Sequence, residues 1–151
     1  MIRVAVDAMG GDNAPDEIVA GALEAASDSI QPILCGPAGL DTSGLELIEA
    51  AQSIAMDEKP ADAVREKPDS SLVACCRAVA EGRADVALSA GNTGAMLAAS
   101  LVHIRRLSGV RRPAIAVVLP SEAGPSLLLD AGANPRLRDR AGQTPGELAW
   151  E

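Results

Sequence analysis

The sequence contains no phenylalanine and no tyrosine, and its one tryptophan, Trp150, is next to last in a chain of 151 residues. Any core must therefore be packed from alanine, valine, leucine and isoleucine. The one histidine, His103, lies in a segment that reads as helix, so a Ser-His-Asp or Cys-His relay has no support. Three cysteines, Cys35, Cys75 and Cys76, leave an odd one over, and the adjacent pair is badly placed to close a normal disulfide loop. A reducing compartment is expected. No Cys or His spacing matches a zinc site, so no metal site is assigned, although Asp7 or Asp12 leaves magnesium open. Cations are also scarce: 13 Lys and Arg stand against 21 Asp and Glu, a net charge of −8. That balance argues against binding the phosphate backbone of nucleic acid. The small clusters at Arg105, Arg106, Arg111 and Arg112, and at Arg136, Arg138 and Arg140, read as solvated charge. No apolar run reaches the roughly 20 residues that span a bilayer. Asp7 and Asp12 also interrupt the first apolar stretch, so no secretory leader is expected there. A cytoplasmic location is expected.

The length suits one ordinary domain. Ile2 to Val6 reads as a buried strand, and the helix after it has Pro15 in its first turn and Ile18, Val19, Ala22, Leu23 and Ala26 at helical spacing. Pro32 to Cys35 reads as a strand, Gly44 to Ala51 as a short helix and Ser53 to Met56 as a brief strand. Asp69 is a candidate cap for a helix carrying Leu72, Cys75, Cys76 and Val79 at i, i+3, i+4 and i+7, ended by Gly82. Ala84 to Ser89 reads as strand and Ala95 to Leu107 as helix. Ala114 to Leu119 and Ser126 to Leu129 are joined by too few residues for a crossover helix, so they are expected to pair antiparallel. Nearly all-apolar strands alternating with helices predict an α/β fold: three layers, α/β/α, with a mostly parallel sheet and one antiparallel hairpin.

In such sheets ligands sit beyond the carboxyl ends of the strands, where helix N-termini favour anions. Two loops fit. In Ser89-Ala90-Gly91-Asn92-Thr93-Gly94-Ala95, small residues permit close backbone approach and Ser89, Asn92 and Thr93 supply uncharged donors. The composition fits a phosphate cradle and equally a tight turn with Asn92 or Thr93 as cap. The other loop, Asp7-Ala8-Met9-Gly10-Gly11-Asp12-Asn13, carries two carboxylates and on its own reads as a structural turn. Neither loop is a G-x-G-x-x-G or Walker A sequence, so no nucleotide cofactor is implied. Lys59 and Lys67, each before a proline, stand at element boundaries where a point charge can meet an anion.

Taken together, six segments resemble the PlsX-type phosphate acyltransferase family: Asp7-Ala8-Met9-Gly10-Gly11-Asp12 with Ala14-Pro15, Met56-Asp57-Glu58-Lys59-Pro60, Lys67-Pro68-Asp69-Ser70-Ser71, Ser89 to Ala95, Arg112-Pro113-Ala114, and Leu127 to Asn134. Their order and spacing fit over about residues 1–134. The resemblance implies transfer of a fatty acyl group from acyl carrier protein to inorganic phosphate, giving an acyl phosphate for phospholipid synthesis. It further implies a homodimer working in the cytoplasm at the membrane surface, without a cofactor. Because phosphate is itself the nucleophile, positioning and oxyanion stabilisation suffice for such chemistry. Carried over residue by residue, Ser89, Asn92 and Thr93 become phosphate or oxyanion contacts, and Gly91 and Gly94 allow close approach. Asp7, Gly10, Gly11 and Asp12 shape the opposite wall, Lys59 neutralises charge, and Ser70 and Ser71 cap or contact the ligand.

The end of the chain departs from that family. Leu127 to Ala149 resembles an ankyrin repeat, with Gly142, Thr144 and Pro145 at the repeat's turn and helix start and Gly146 where leucine is usual. One partial repeat cannot bury its own apolar face, so residues 135–151 are expected to form a helical tail. The alternative reading is a non-catalytic chimera or designed junction with an ankyrin-like binding tail. Leu128 to Asn134 belongs to both patterns, as a strand in one and a helix end in the other; strand is expected.

Overall fold

The computed structural model describes residues 1–108, 115–120 and 124–130. They fall into two units, the first Met1–Arg105 and the second beginning at Arg106. The first unit is built on a four-stranded sheet of β1 (Ile2–Asp7), β2 (Ile30–Gly36), β3 (Glu46–Glu49) and β4 (Val86–Leu88), in the order β3-β2-β1-β4. Every pairing is parallel; Val6, for example, faces Leu34 on one side and Leu88 on the other.

Alternation along the strands divides the apolar residues between two layers. Val6 and Leu34 pack with Ala8, Val19 and Ala22 on the side of α1 (Asp16–Ala25). Ala5 and Cys35 pack with Ala74, Cys75 and Ala78 on the side of α3 (Ser71–Ala80). A third cluster joins α3 to α2 (Pro60–Glu66) and α4 (Thr93–His103) through Leu72, Val73, Cys76, Ala63, Val64, Ala95 and Ala99. The architecture is the three-layer α/β/α arrangement expected from the sequence. α3 is buried on almost every side because it lies between the sheet and α4, which explains its apolar circumference. With aromatics lacking, all of this is done by small side chains. The three cysteines are free and buried. A hydrogen bond with Cys35, and then burial, push the Cys75 thiol up from its ordinary value, so it packs as a neutral core residue.

The sequence reading needs correction at five places. Residues 46–49 are strand β3, where a helix over 44–51 was expected; Leu47 faces the α1 layer and Ile48 the α3 layer, a period of two imposed by pairing with β2. Ser53 to Met56 forms no strand. Gln52 bridges to Ser70, but the carbonyls of Ser53, Ala55 and Met56 are taken by side chains of Lys67 and Asn92. Helix α2 went unforeseen, although its proline in the first turn and its flanking lysines mark its ends: Lys59 is the N-cap and Lys67 the C-cap. The cap of α3 is Ser70, whose Oγ accepts from Val73 N at 3.4 Å, and not Asp69. α4 starts two residues earlier than expected and ends at His103, with Arg105 at φ 73 just beyond.

In the second unit β5 (Ile115–Leu119) and β6 (Ser126–Asp130) form the expected antiparallel hairpin. The segment claimed by both resemblances is thus strand as far as Asp130; residues 131–151, including the ankyrin-like tail, lie outside the described residues.

β1 is tied to the entry of β4 by one cluster. The Arg3 guanidinium donates to Asp85 Oδ1 at 2.8 Å and to the Gly82 carbonyl at 2.8 Å, while Arg3 N donates to Asp85 Oδ2 at 2.8 Å. The Arg3 side chain, through its hydrogen bonds first, holds the Asp85 carboxyl at about 2. A depressed carboxylate contributes stability that is complete above its unfolded value, near 4, and is lost as pH falls through about 2. Asp85→Asn is therefore expected to melt below wild type at neutral pH, with the gap closing between about pH 4 and 2. Both side chains are well exposed, so added salt should narrow the gap as well. Thermal melts across that pH range check this; a gap that persists at pH 2 would refute it.

Candidate functional site

β1 and β4 lie side by side, yet the chain leaves them on opposite faces of the sheet, from β1 to α1 and from β4 to α4. This is the topological switch point at which α/β sheets leave a crevice for ligands. The two loops singled out in the sequence meet there. A Cβ placed on Gly10 would lie 2.8 Å from Ser89 Oγ, 2.9 Å from Gly91 N and against the Asp7 carboxylate; one on Gly91 would lie 3.1 Å from Gly10 Cα. The backbones are pressed together too closely for any side chain, which accounts for glycine at both positions. Gly11, at φ 120, completes the first loop against Ala90, and Asp12 is exposed.

The polar groups in the loops are mostly committed to each other. Asp7 is 3% exposed. Its Oδ2 accepts from Ser89 Oγ at 2.7 Å and its Oδ1 from Met9 N at 3.2 Å. Ser89 Oγ in turn accepts from Gly91 N at 3.0 Å. The Ser89 hydroxyl therefore donates to Asp7 in this structure, and Ser89 braces the two loops.

Asn92 is also built in. Its Oδ1 accepts from Ala95 N at 3.0 Å, capping α4, while its Nδ2 faces the carbonyls of Ala55, Met56 and Glu58 at 3.1, 3.3 and 3.0 Å. The same stretch is held from the other side by Lys67, whose Nζ donates to the Ser53 carbonyl at 2.9 Å and to Glu58 Oε1 at 2.6 Å. Glu58 also accepts from Ala55 N, and these bonds, that to Lys67 first, hold its carboxyl below the ordinary value. Gly94 is small for a packing reason: a Cβ there would lie 2.5 Å from Pro60 Cγ. That contact sets Lys59, exposed and without an ion-pair partner among the described residues, beside the head of α4.

What is left unbonded is informative. In the first turn of α4, Ala95 N is taken by Asn92 Oδ1 and Met96 N by the Asn92 carbonyl at 2.9 Å. The amides of Thr93 and Gly94 have no acceptor among the described residues, and Thr93 is exposed. The positive end of this 11-residue helix therefore carries two amides without an acceptor beside the exposed Thr93, an arrangement of the kind that favours anions. Ser70 and Ser71, at 0% and 1% exposure, lie inside the core at the start of α3, where Ser70 is the cap. The sequence marked Lys67 as a charge placed to meet an anion; the structure gives it the Glu58 carboxylate, and the pair fixes the loop that flanks the head of α4.

The family profile described as "Fatty acid synthesis protein" matches residues 2–140. A phosphate acyltransferase of Heliobacterium modesticaldum (strain ATCC 51547 / Ice1) is 48% identical over 151 residues, which cover 92% of this chain and 45% of that protein. One of Desulfitobacterium hafniense (strain Y51) is 50% identical over 145 residues, covering 89% and 43%. The crystal structure of a branched-chain phosphotransacylase from Enterococcus faecalis V583 has the same fold, with a TM-score of 0.54 at 22% identity over 86% of this chain and 43% of that one. The chain thus spans less than half the length of the curated relatives it matches.

Proposed function

The chain belongs to the fatty acid synthesis protein family, and from that premise we propose that the head of α4 seats inorganic phosphate for acyl transfer. In this reading a phosphate oxygen attacks the thioester carbonyl of a fatty acyl group on acyl carrier protein. The new C–O bond forms, the C–S bond breaks, and the carrier thiolate leaves with the proton that phosphate gives up. The Thr93 and Gly94 amides bind phosphate or the developing oxyanion, the Thr93 hydroxyl adds a donor, and Lys59 offsets charge. Asp7, Gly10, Ser89 and Gly91 fix where the β4 loop ends, and Asn92 fixes the helix. Homodimer formation, a cytoplasmic location and work at a membrane surface belong to the same reading. Among the described residues no helix is long and apolar enough to cross a membrane.

The observation that carries this is the pair of unbonded amides at the switch point, on a chain whose relatives are named phosphate acyltransferases. Thr93→Pro tests it. Proline is well tolerated at the first helical position, and Asn92, at φ −62 and ψ 105, already has the extended backbone that a residue before proline requires. The substitution removes one amide and the hydroxyl while leaving the helix in place. A hydrogen bond to a charged group contributes about 1.5–3 kcal/mol, so orthophosphate affinity measured by calorimetry is expected to fall roughly 10- to 100-fold. The melting temperature should change little. Wild-type affinity in this variant, or no binding by the wild type, would refute the proposal.

A further inference from the structure

The sequence holds two lysines, Lys59 and Lys67, and the structure places them in opposite circumstances. The Lys67 ammonium is committed, donating to Glu58 Oε1 at 2.6 Å and to the Ser53 carbonyl at 2.9 Å. Lys59 is exposed, and among the described residues its ammonium has no ion-pair partner. The Lys59 backbone is nonetheless fixed on every side. The Glu58 carbonyl just before it accepts from Asn92 Nδ2 at 3.0 Å, and its own carbonyl accepts from Ala63 N at 2.9 Å as the first bond of α2. The Pro60 ring just after it lies so near α4 that a Cβ on Gly94 would be 2.5 Å from Pro60 Cγ. A flexible four-carbon stem ending in an uncommitted ammonium therefore starts from a fixed point beside Asn92 and Gly94. The amides of Thr93 and Gly94, which have no acceptor among the described residues, lie in the same turn.

We infer that Lys59 is a modification site, acylated by acyl phosphate held at the head of α4; the inference rests on the phosphate reading above and goes beyond it. An acyl phosphate is a mixed anhydride, and its carbonyl carbon is open to attack by amines. With the phosphoryl group on the Thr93 and Gly94 amides, that carbon is one oxygen removed from the bound phosphorus, close to where the Lys59 stem begins. The uncharged amine of Lys59 attacks it. The C–N bond forms, the C–O bond to the phosphate oxygen breaks, phosphate leaves with the electron pair, and the surplus proton of the amine passes to phosphate or solvent. Holding the two reactants side by side raises the rate above that of a lysine in free solution. Lys67 is spared, because an ammonium held by a carboxylate has no lone pair to offer. The resulting amide carries no charge, so the modified chain holds phosphate less well and accumulated product slows its own synthesis.

Incubating the full chain with butyryl phosphate in mildly alkaline buffer tests the inference, with acylation at each lysine followed by peptide mass spectrometry. Nα-acetyllysine in the same solution reports the rate of an unheld lysine. Lys59 is expected to be acylated at least about tenfold faster than either Lys67 or Nα-acetyllysine. Saturating orthophosphate, or the Thr93→Pro substitution, is expected to bring Lys59 down to the rate of the free lysine. Lys59→Gln, which copies the lost charge, is expected to weaken orthophosphate binding about two- to fivefold by calorimetry. If orthophosphate does not bind the wild type at all, the phosphate reading itself has failed. If it binds while Lys59 reacts no faster than Nα-acetyllysine, only the present inference falls. A Lys67 as reactive as Lys59, or a Lys59 rate that orthophosphate leaves unchanged, overturns it too, because the acyl donor is then not held at the head of α4.

Discussion

Replacing Gly10 with alanine is expected to lower the melting temperature by about 10 °C or more and to abolish measurable phosphate binding. The added methyl would meet the Asp7 carboxylate, Ser89 Oγ at 2.8 Å and Gly91 N at 2.9 Å. None of these is the loose end of a flexible side chain. Asp7 is buried, Ser89 is held between Asp7 and Gly91, and Gly91 is backbone. Relief requires moving the β1 loop away from the β4 loop, which breaks the Ser89–Asp7 hydrogen bond and leaves a buried carboxylate short of a partner. Overpacking costs about 1–3 kcal/mol and a lost charged hydrogen bond about as much again. In a unit of this size each kcal/mol shifts the midpoint by about 4–8 °C. Gly21→Ala is the control: it also adds a methyl to a glycine, but nothing lies within 4 Å, and the better helix former should stabilise. If both variants melt with the wild type, the loops do not touch as described.

The alternation of apolar residues made the layers legible from the sequence, because period two and period 3.6 are both written in which residues can be buried. The glycine loops were legible for the same kind of reason: small residues between a strand and a helix leave few other uses. Residues 46–49 were not, since Leu47 and Ile48 between two glutamates fit either period until β2 is known to lie alongside. The site shows a similar division. That Asn92 or Thr93 would cap α4 follows from their position, and Asn92 is the one that does. That its amide nitrogen would reach carbonyls 34 to 37 residues earlier does not, because only the packing of α2 against α4 brings that loop within range. Likewise the donor capacity of Ser89 seemed available to a ligand because Asp7, 82 residues away in sequence, did not appear as its partner.

These distant bonds make Asn92 the residue whose two functions are easiest to separate. Asn92→Ala removes the cap, worth about 1 kcal/mol, and also withdraws the amide hydrogens that face the carbonyls of Ala55, Met56 and Glu58. With each hydrogen bond contributing about 0.5–1.5 kcal/mol, the total loss is expected at about 2–4 kcal/mol in denaturant melts. Asn92→Asp keeps the Oδ1 cap and adds a negative charge where the helix favours one. If capping were the whole role, the aspartate variant would match or exceed the wild type. In the geometry found here its second oxygen instead faces three carbonyl oxygens, so acceptor meets acceptor and the loop over residues 53–58 is released. The aspartate variant is therefore expected to fall at least as far as the alanine variant, and both should show faster hydrogen exchange at residues 53–58. Lys67→Met, which cuts the same loop loose from the other side, should reproduce the exchange signature without touching the cap. A stable Asn92→Asp protein with a protected loop would show that Asn92 serves α4 alone, and the loop's rigidity would then need another cause.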